Sequence, residues 1–266
     1  MTLTSSNPLI TKGVRQQVSF DEFKDEVIND YKLACISREV SLIGRKEVLT
    51  GKAKFGIFGD GKELPQIALA KVFENGDFRA GYYRDQTFAL ATGIVTVEQL
   101  FGQLYANPSS EEDPHSGGRQ MNNHFATRSL HADGSWKKLK YQKNTSADLS
   151  STAAQMPRSL GLALASKKYR ELQDKIGEND FSNKGNEVCF ATIGDASTSE
   201  GLFWEVINAA GVQQVPLVIS VWDDGYGISV PKKYQTTKES ISKILKGFQK
   251  TGNSNCHFIG RKNIFT

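Results

Sequence analysis

Residues 187–229, EVCFATIGDASTSEGLFWEVINAAGVQQVPLVISVWDDGYGIS, constrain the fold more than any other stretch. A short apolar run, Val188 to Ile193, breaks at Gly194-Asp195. Leu202, Phe203, Val206, Ile207 and Ala210 then recur at helical spacing, and Gly211 suits the stop of that helix. A second apolar run, Val215 to Trp222, ends at Asp223-Asp224-Gly225. Two β-rich runs joined by an amphipathic helix predict a βαβ unit with parallel strands. Parallel strands deliver both acidic turns to one carboxyl edge, where open α/β sheets hold their ligands. Asp195 and Asp224, distant in sequence, are therefore expected to approach each other in space.

That geometry suits a divalent cation holding a phosphorylated ligand. Mg²⁺ takes one or two carboxylates and completes its octahedron with substrate phosphates and water. Asp195, Asp224 and the carbonyl of Tyr226 offer oxygen ligands. Gly194 and Gly225 let the backbone come close, and the helix start near Ser197 to Ser199 presents free N–H groups to phosphate. The same residues also suit a plain turn and a helix N-cap, so the acidic turns alone leave both readings open.

GDAS at Gly194, Asp195, Ala196 and Ser197, followed about thirty residues later by DDGYGIS, resembles the thiamin diphosphate motif. The flanks Ser199-Glu200-Gly201 and Gly225-Tyr226-Gly227-Ile228-Ser229 resemble the alpha subunit of the decarboxylating component of 2-oxo acid dehydrogenase complexes. The resemblance implies that Gly194, Asp195, Ala196, Ser197, Asp224 and Tyr226 bind the cofactor, with Asp195, Asp224 and Tyr226 on Mg²⁺. Asp224 stands where the family usually has Asn, and Trp222 where it often has Arg. The extra carboxylate strengthens the hold on the metal and repels the diphosphate; the missing Arg removes a phosphate partner.

Other segments follow in family order. GYYRDQTFALATG resembles the segment whose Tyr and Arg reach the diphosphate, which assigns those roles to Tyr83 and Arg84; a guanidinium suits phosphate. The alternative for Arg84 is an ion pair with Asp85. GGRQMNNHF resembles GRQMPxHY of the branched-chain members and places His124 at the family's substrate-side histidine; His suits proton transfer near neutral pH. LSSTAAQMPRSLG resembles the segment under the aminopyrimidine ring, so Ser150 and Thr152 face the cofactor, Thr152 in place of a bulky apolar residue. Arg38 and Glu39 stand where the family has an Arg and a Glu; by themselves they read as a solvated pair.

Helices are expected from Ser19 to about Leu49, ended by Gly51, from Lys62 through Phe73, from Thr96 to Tyr105, in the second half of 149–169, and over 238–247. A strand is expected from Arg79 to Tyr83. Residues 1–18 read as a mobile segment, 19–250 as a single thiamin diphosphate-binding domain, and 251–266 as an irregular, truncated or altered tail. The fold class is α/β, a parallel sheet flanked by helices, the thiamin diphosphate-binding fold.

A net charge of +4 over 266 residues does not call for nucleic acid, and the basic run WKKLKYQK reads as a solvated hairpin. No apolar run spans a bilayer, and the N-terminus has no signal-like core. Three scattered cysteines make no disulfide framework, Cys189 reads as a buried hydrophobe, and Cys256-His257 lacks the partners of a metal site. A cytoplasmic protein is expected.

The resemblance implies oxidative decarboxylation of a 2-oxo acid with thiamin diphosphate and Mg²⁺, and transfer of the acyl group to lipoyl on an acyltransferase. GRQM and YYRD lean towards 2-oxoisovalerate, with pyruvate as the alternative. It implies an oligomer in which a beta subunit or fused beta half supplies the acid that activates the cofactor, so the chain alone is expected to be inactive. Rival classes are another thiamin enzyme of transketolase type and a non-catalytic phosphate-binding module. A Rossmann dehydrogenase is disfavoured because no GxGxxG follows a first strand.

Overall fold

The computed structural model describes residues 19–248. The expectations for residues 1–18, the tail and Cys256-His257 lie outside them.

Helix α1, Phe20–Leu49, opens on a capping box in which the Ser19 hydroxyl accepts from the Glu22 amide and Glu22 reaches back to the Ser19 amide. It ends as Gly51 takes a positive φ of 77°. Its apolar residues Phe20, Phe23, Val27 and Tyr31 are exposed, and packing begins at Ser37, Val40, Ser41 and Gly44. Arg38 does not pair with Glu39: it forms a two-pronged ion pair with Glu63, at 2.7 and 3.1 Å. Glu63 opens α2, Glu63–Ala70, which stops before the expected Phe73.

Strand β1 is Phe78–Ala80, shorter than expected, because Tyr83–Asp85 coil into a 3₁₀ turn that leads into α3, Gln86–Ala91. Helix α4, Val97–Leu104, carries its own capping box through Thr96 and Gln99. A long irregular stretch leads to β2, Asn144–Thr145; the basic run forms a bridge between Leu130 and Trp136 and a 3₁₀ turn, Leu139–Tyr141. Helices α5, Gln155–Glu171, and α6, Gln173–Ile176, precede β3, Cys189–Gly194. Then come α7, Gly201–Gln213, and β4, Leu217–Trp222. Gly211 lies inside α7; the stop is Gln214, which adopts the left-handed conformation at φ 49°. A two-stranded ribbon, β5 Tyr226–Gly227 and β6 Val230–Pro231, precedes α8, Ile241–Leu245, shorter than the expected 238–247.

The main sheet runs β2-β1-β3-β4, with all strands parallel. β3 is buried on both faces, as its unbroken apolar run requires. Ala191 and Ile193 pack with Met156 of α5 and Phe203, Val206 and Ile207 of α7. On the other face Phe190 meets Phe73 edge-to-face, and Phe73 meets Phe88. Helices thus cover both faces of a parallel sheet, the expected class, and Cys189 is buried as expected.

Candidate functional site

The β3–β4 register pairs Gly194 with Trp222, so the residues after each strand emerge side by side. The Asp195 amide donates to the Trp222 carbonyl at 3.4 Å. Asp195 is 3% exposed, and its Oδ2 is buried without a hydrogen-bond partner. Burial, then the nearby carboxylates of Asp223 and Asp224, push its acid up to about 6 from the usual 3.8. The two acidic turns are therefore brought together at the carboxyl edge.

The other two carboxylates are paired. Asp224 Oδ2 accepts from Lys62 Nζ at 2.7 Å, and its Oδ1 accepts from the Tyr226 amide at 3.1 Å. Burial works against this charge, but Lys62 holds the acid below the usual range. Asp223 is bound by Lys232 at 2.7 and 2.8 Å. The site thus leaves one carboxylate oxygen, on Asp195, unused in a dry place, which costs free energy unless a cation or proton comes to it.

This donor set fits a divalent ion. Among the described residues no group of three or more His, Cys, Asp or Glu side chains is arranged to hold a metal. A Mg²⁺ that keeps water and phosphate ligands needs no such group. Asp195 and Asp224, with the Tyr226 carbonyl, would hold it, and Ala196 and Ser197 begin a 3₁₀ turn, Ala196–Ser199, beside it. A Cβ on Gly227 would come within 2.7 Å of the Ala196 Cβ and collide with Gln235. The ribbon and the turn after β3 are therefore in close contact.

The turn after β1 reaches the same edge. A Cβ on Gly194 would lie 3.3 Å from the Tyr82 hydroxyl, which is buried and unpartnered. Burial, then the Asp85 carboxylate, raise its phenol. The sequence motif points at Tyr83, yet Tyr82 turns inward to Gly194; the adjacent tyrosines are indistinguishable by type and differ only in direction. The Arg84 guanidinium stacks over the Tyr83 ring at 5.2 Å and is close enough to help lower the Asp224 acid. It does not pair with Asp85, which is wholly buried and bound by Arg79 Nε at 2.7 Å and Trp222 Nε1 at 2.9 Å. Trp222 therefore faces inward.

His124 and Ser150 are also brought together. His124 is buried; its Nδ1 lies 3.1 Å from the Asn122 carbonyl, which can only accept, so Nδ1 carries the proton. Nε2 faces the Ser150 hydroxyl at 3.3 Å. Ser150 and Thr152 are exposed on the turn before α5, whose Ala153 has a positive φ of 61°. Asp148 ties this corner to the sheet: it accepts from the Phe125 amide at 2.9 Å and from Arg79 at 3.0 and 3.1 Å.

A family model described as "Dehydrogenase E1 component" matches residues 31–252. The chain belongs to the dehydrogenase E1 component family. It is 29% identical over 233 residues to "2-oxoisovalerate dehydrogenase subunit alpha" of Bacillus subtilis, covering 85% of this chain and 60% of that protein. It is 25% identical over 246 residues to "2-oxoisovalerate dehydrogenase subunit alpha 2, mitochondrial" of Arabidopsis thaliana, covering 92% of this chain and 44% of that protein. A third E1 relative, "Pyruvate dehydrogenase E1 component subunit alpha" of Acholeplasma laidlawii, is 24% identical over 219 residues, covering 82% of this chain and 52% of that protein. The chain thus spans about half the length of the E1 proteins it matches. No helix among the described residues is long and apolar enough to cross a membrane.

Lys62, Tyr82 and Gln235, whose Oε1 is also buried without a partner, were not singled out from sequence. The segments that contain Lys62 and Tyr82 assign no role to them, Gln235 carries no motif, and each reaches the site only through the fold.

Proposed function

We propose that this chain is the alpha subunit, or the N-terminal alpha part, of the decarboxylating component of a 2-oxo acid dehydrogenase complex. The substrate is 2-oxoisovalerate and the cofactors are thiamin diphosphate and Mg²⁺. The observation that carries this reading is the unpartnered, buried oxygen of Asp195, beside Asp224, where the two strands of the βαβ unit, β3 and β4, end. The names of the Bacillus and Arabidopsis relatives support 2-oxoisovalerate over pyruvate.

Bound thiamin diphosphate supplies a carbanion nucleophile and an electron sink for decarboxylation. The protein's part is to hold and orient. Asp195, Asp224 and the Tyr226 carbonyl hold Mg²⁺; Gly194 keeps the backbone close to the diphosphate, and Ala196 and Ser197 present the turn to it. Tyr83 and Arg84 bind the phosphates from the β1 side. Ser150 and Thr152 face the aminopyrimidine ring. Nε2 of His124 stands at the substrate side for a hydrogen bond or proton transfer, and the carbonyl of Asn122 holds the other nitrogen in place. A beta subunit or fused beta half completes the site, and a lipoyl-bearing acyltransferase takes the acyl group. We place this oligomer in the cytoplasm.

The test is reconstitution. The chain, mixed with a beta subunit from a 2-oxoisovalerate dehydrogenase and given thiamin diphosphate, Mg²⁺ and an artificial electron acceptor, is assayed on a series of 2-oxo acids. The reading expects turnover of branched 2-oxo acids above pyruvate and almost none without the partner. Preference for pyruvate sends the substrate to the alternative, and turnover by the chain alone contradicts the subunit assignment.

A further inference from the structure

Lys62 immediately precedes α2, on a loop pinned from both sides. Glu63 accepts from the Gly61 amide at 3.0 and 3.1 Å and from Arg38 at 2.7 Å. The lysine side chain is therefore sent to one place, the Asp224 carboxylate, and it is only 10% exposed. An ammonium has three donors. Among the described residues, Lys62 Nζ donates a hydrogen bond to Asp224 Oδ2 alone. Two further donors are left for a ligand, and the lysine's partner Asp224 is one of the carboxylates acting on Asp195, whose Oδ2 has no partner.

Charge makes this position matter. The site gathers the carboxylates of Asp195, Asp223 and Asp224, and Lys232 is committed to Asp223 through both oxygens. A diphosphate brought to this edge is repelled by Asp224 unless a cation stands between them. Position 222 supplies none: the Trp222 indole is turned into the core and donates to Asp85. Lys62 is the ammonium already bonded to Asp224, with the Arg84 guanidinium as a second, more distant cation.

We propose that Lys62 is a diphosphate-binding residue of this site, giving Asp224 up to the metal ion and turning its ammonium to the phosphates of the ligand. This rests on the thiamin diphosphate reading above and adds to it a residue to which the sequence motifs assign no role.

The test is calorimetric titration of the full chain in Mg²⁺ with thiamin diphosphate and, separately, with inorganic pyrophosphate. Lys62→Gln is expected to weaken both ligands about tenfold to a hundredfold, the span of a charge-assisted hydrogen bond. Lys62→Arg retains most of the affinity. The double variant Lys62→Gln/Asp224→Asn remains weak, because removing the repelling carboxylate does not replace the lost donor. Unchanged affinity in Lys62→Gln overturns the proposal, as does full recovery in the double variant, which would make Lys62 only a neutraliser of Asp224. In either case, Mg²⁺-dependent thiamin diphosphate binding by the unaltered chain leaves the parent reading standing. Binding of pyrophosphate alone overturns that reading and leaves Lys62 to be judged on pyrophosphate. Binding of neither ligand overturns both.

Discussion

The indole Nε1 of Trp222, the last residue of β4, donates a 2.9 Å hydrogen bond to Asp85 Oδ1, at the end of the turn after β1. The bond crosses β3, whose Thr192 hydroxyl also donates to Asp85. One buried carboxylate thus clasps the three strands that end at the candidate site. Trp222→Phe keeps an aromatic side chain, though a smaller one, and removes the donor. The expected cost is about 1–3 kcal/mol, that of an under-satisfied buried acceptor, read by urea denaturation. Affinity for thiamin diphosphate should change little, since this side chain faces the core.

Arg79 is the centre of the same clasp. It is 1% exposed and binds Asp85, Asp148 and Thr145 together. Arg79→Met strands two buried carboxylates. Removing one member of a buried ion pair costs about 3–5 kcal/mol. Chemical denaturation should show at least that loss, with the variant poorly soluble if the chain's total stability is ordinary.

The raised acid of Asp195 sets a pH dependence. Its folded value of about 6 lies above the usual 3.8, so between these values the folded chain binds more protons than the unfolded one. Stability from this group therefore falls as pH rises through that window. Cation binding has the opposite slope, because the ion needs the carboxylate charged. Mg²⁺ affinity in the presence of thiamin diphosphate should rise as pH climbs through about 6, and Asp195→Asn should flatten both profiles.

His124 is held through both ring nitrogens, by Asn122 and Ser150. In the reconstituted enzyme, His124→Ala is expected to lower turnover about 10²- to 10⁴-fold, the range for a positioned acid or base. Thiamin diphosphate affinity of the chain should stay near that of the unaltered protein. A large loss of affinity with unchanged turnover would place His124 on the cofactor instead.

What could be read from the sequence was what repeats locally. The apolar runs of β3 and β4 and the amphipathic spacing of α7 pointed to the parallel unit; β3 is buried on both faces, while β4, at the sheet edge, keeps its apolar run although Val218 is exposed. The turns at Asp195 and Asp224 followed from where those runs break. Single-residue effects misled: Gly211 looked like the helix stop, yet it tolerates the helix interior, and Gln214 takes the left-handed turn. The strand expected to Tyr83 was cut short because a 3₁₀ turn brings Asp85 back to Arg79. Long-range pairs left no trace at all. Lys62 and Asp224 are 162 residues apart, and Arg38 chose Glu63 over its neighbour Glu39. Such pairings depend on where the fold carries each element, which no short pattern encodes.

The account stands on a divalent ion shared by Asp195 and Asp224 under a diphosphate. Its most direct test substitutes Mn²⁺ for Mg²⁺ and follows the paramagnetic signal of the free ion during titration, with and without thiamin diphosphate. The account predicts a single bound ion per chain, tightened by the diphosphate and lost in Asp195→Ala. Mn²⁺ held equally well by Asp195→Ala, or an ion indifferent to the diphosphate, would contradict it.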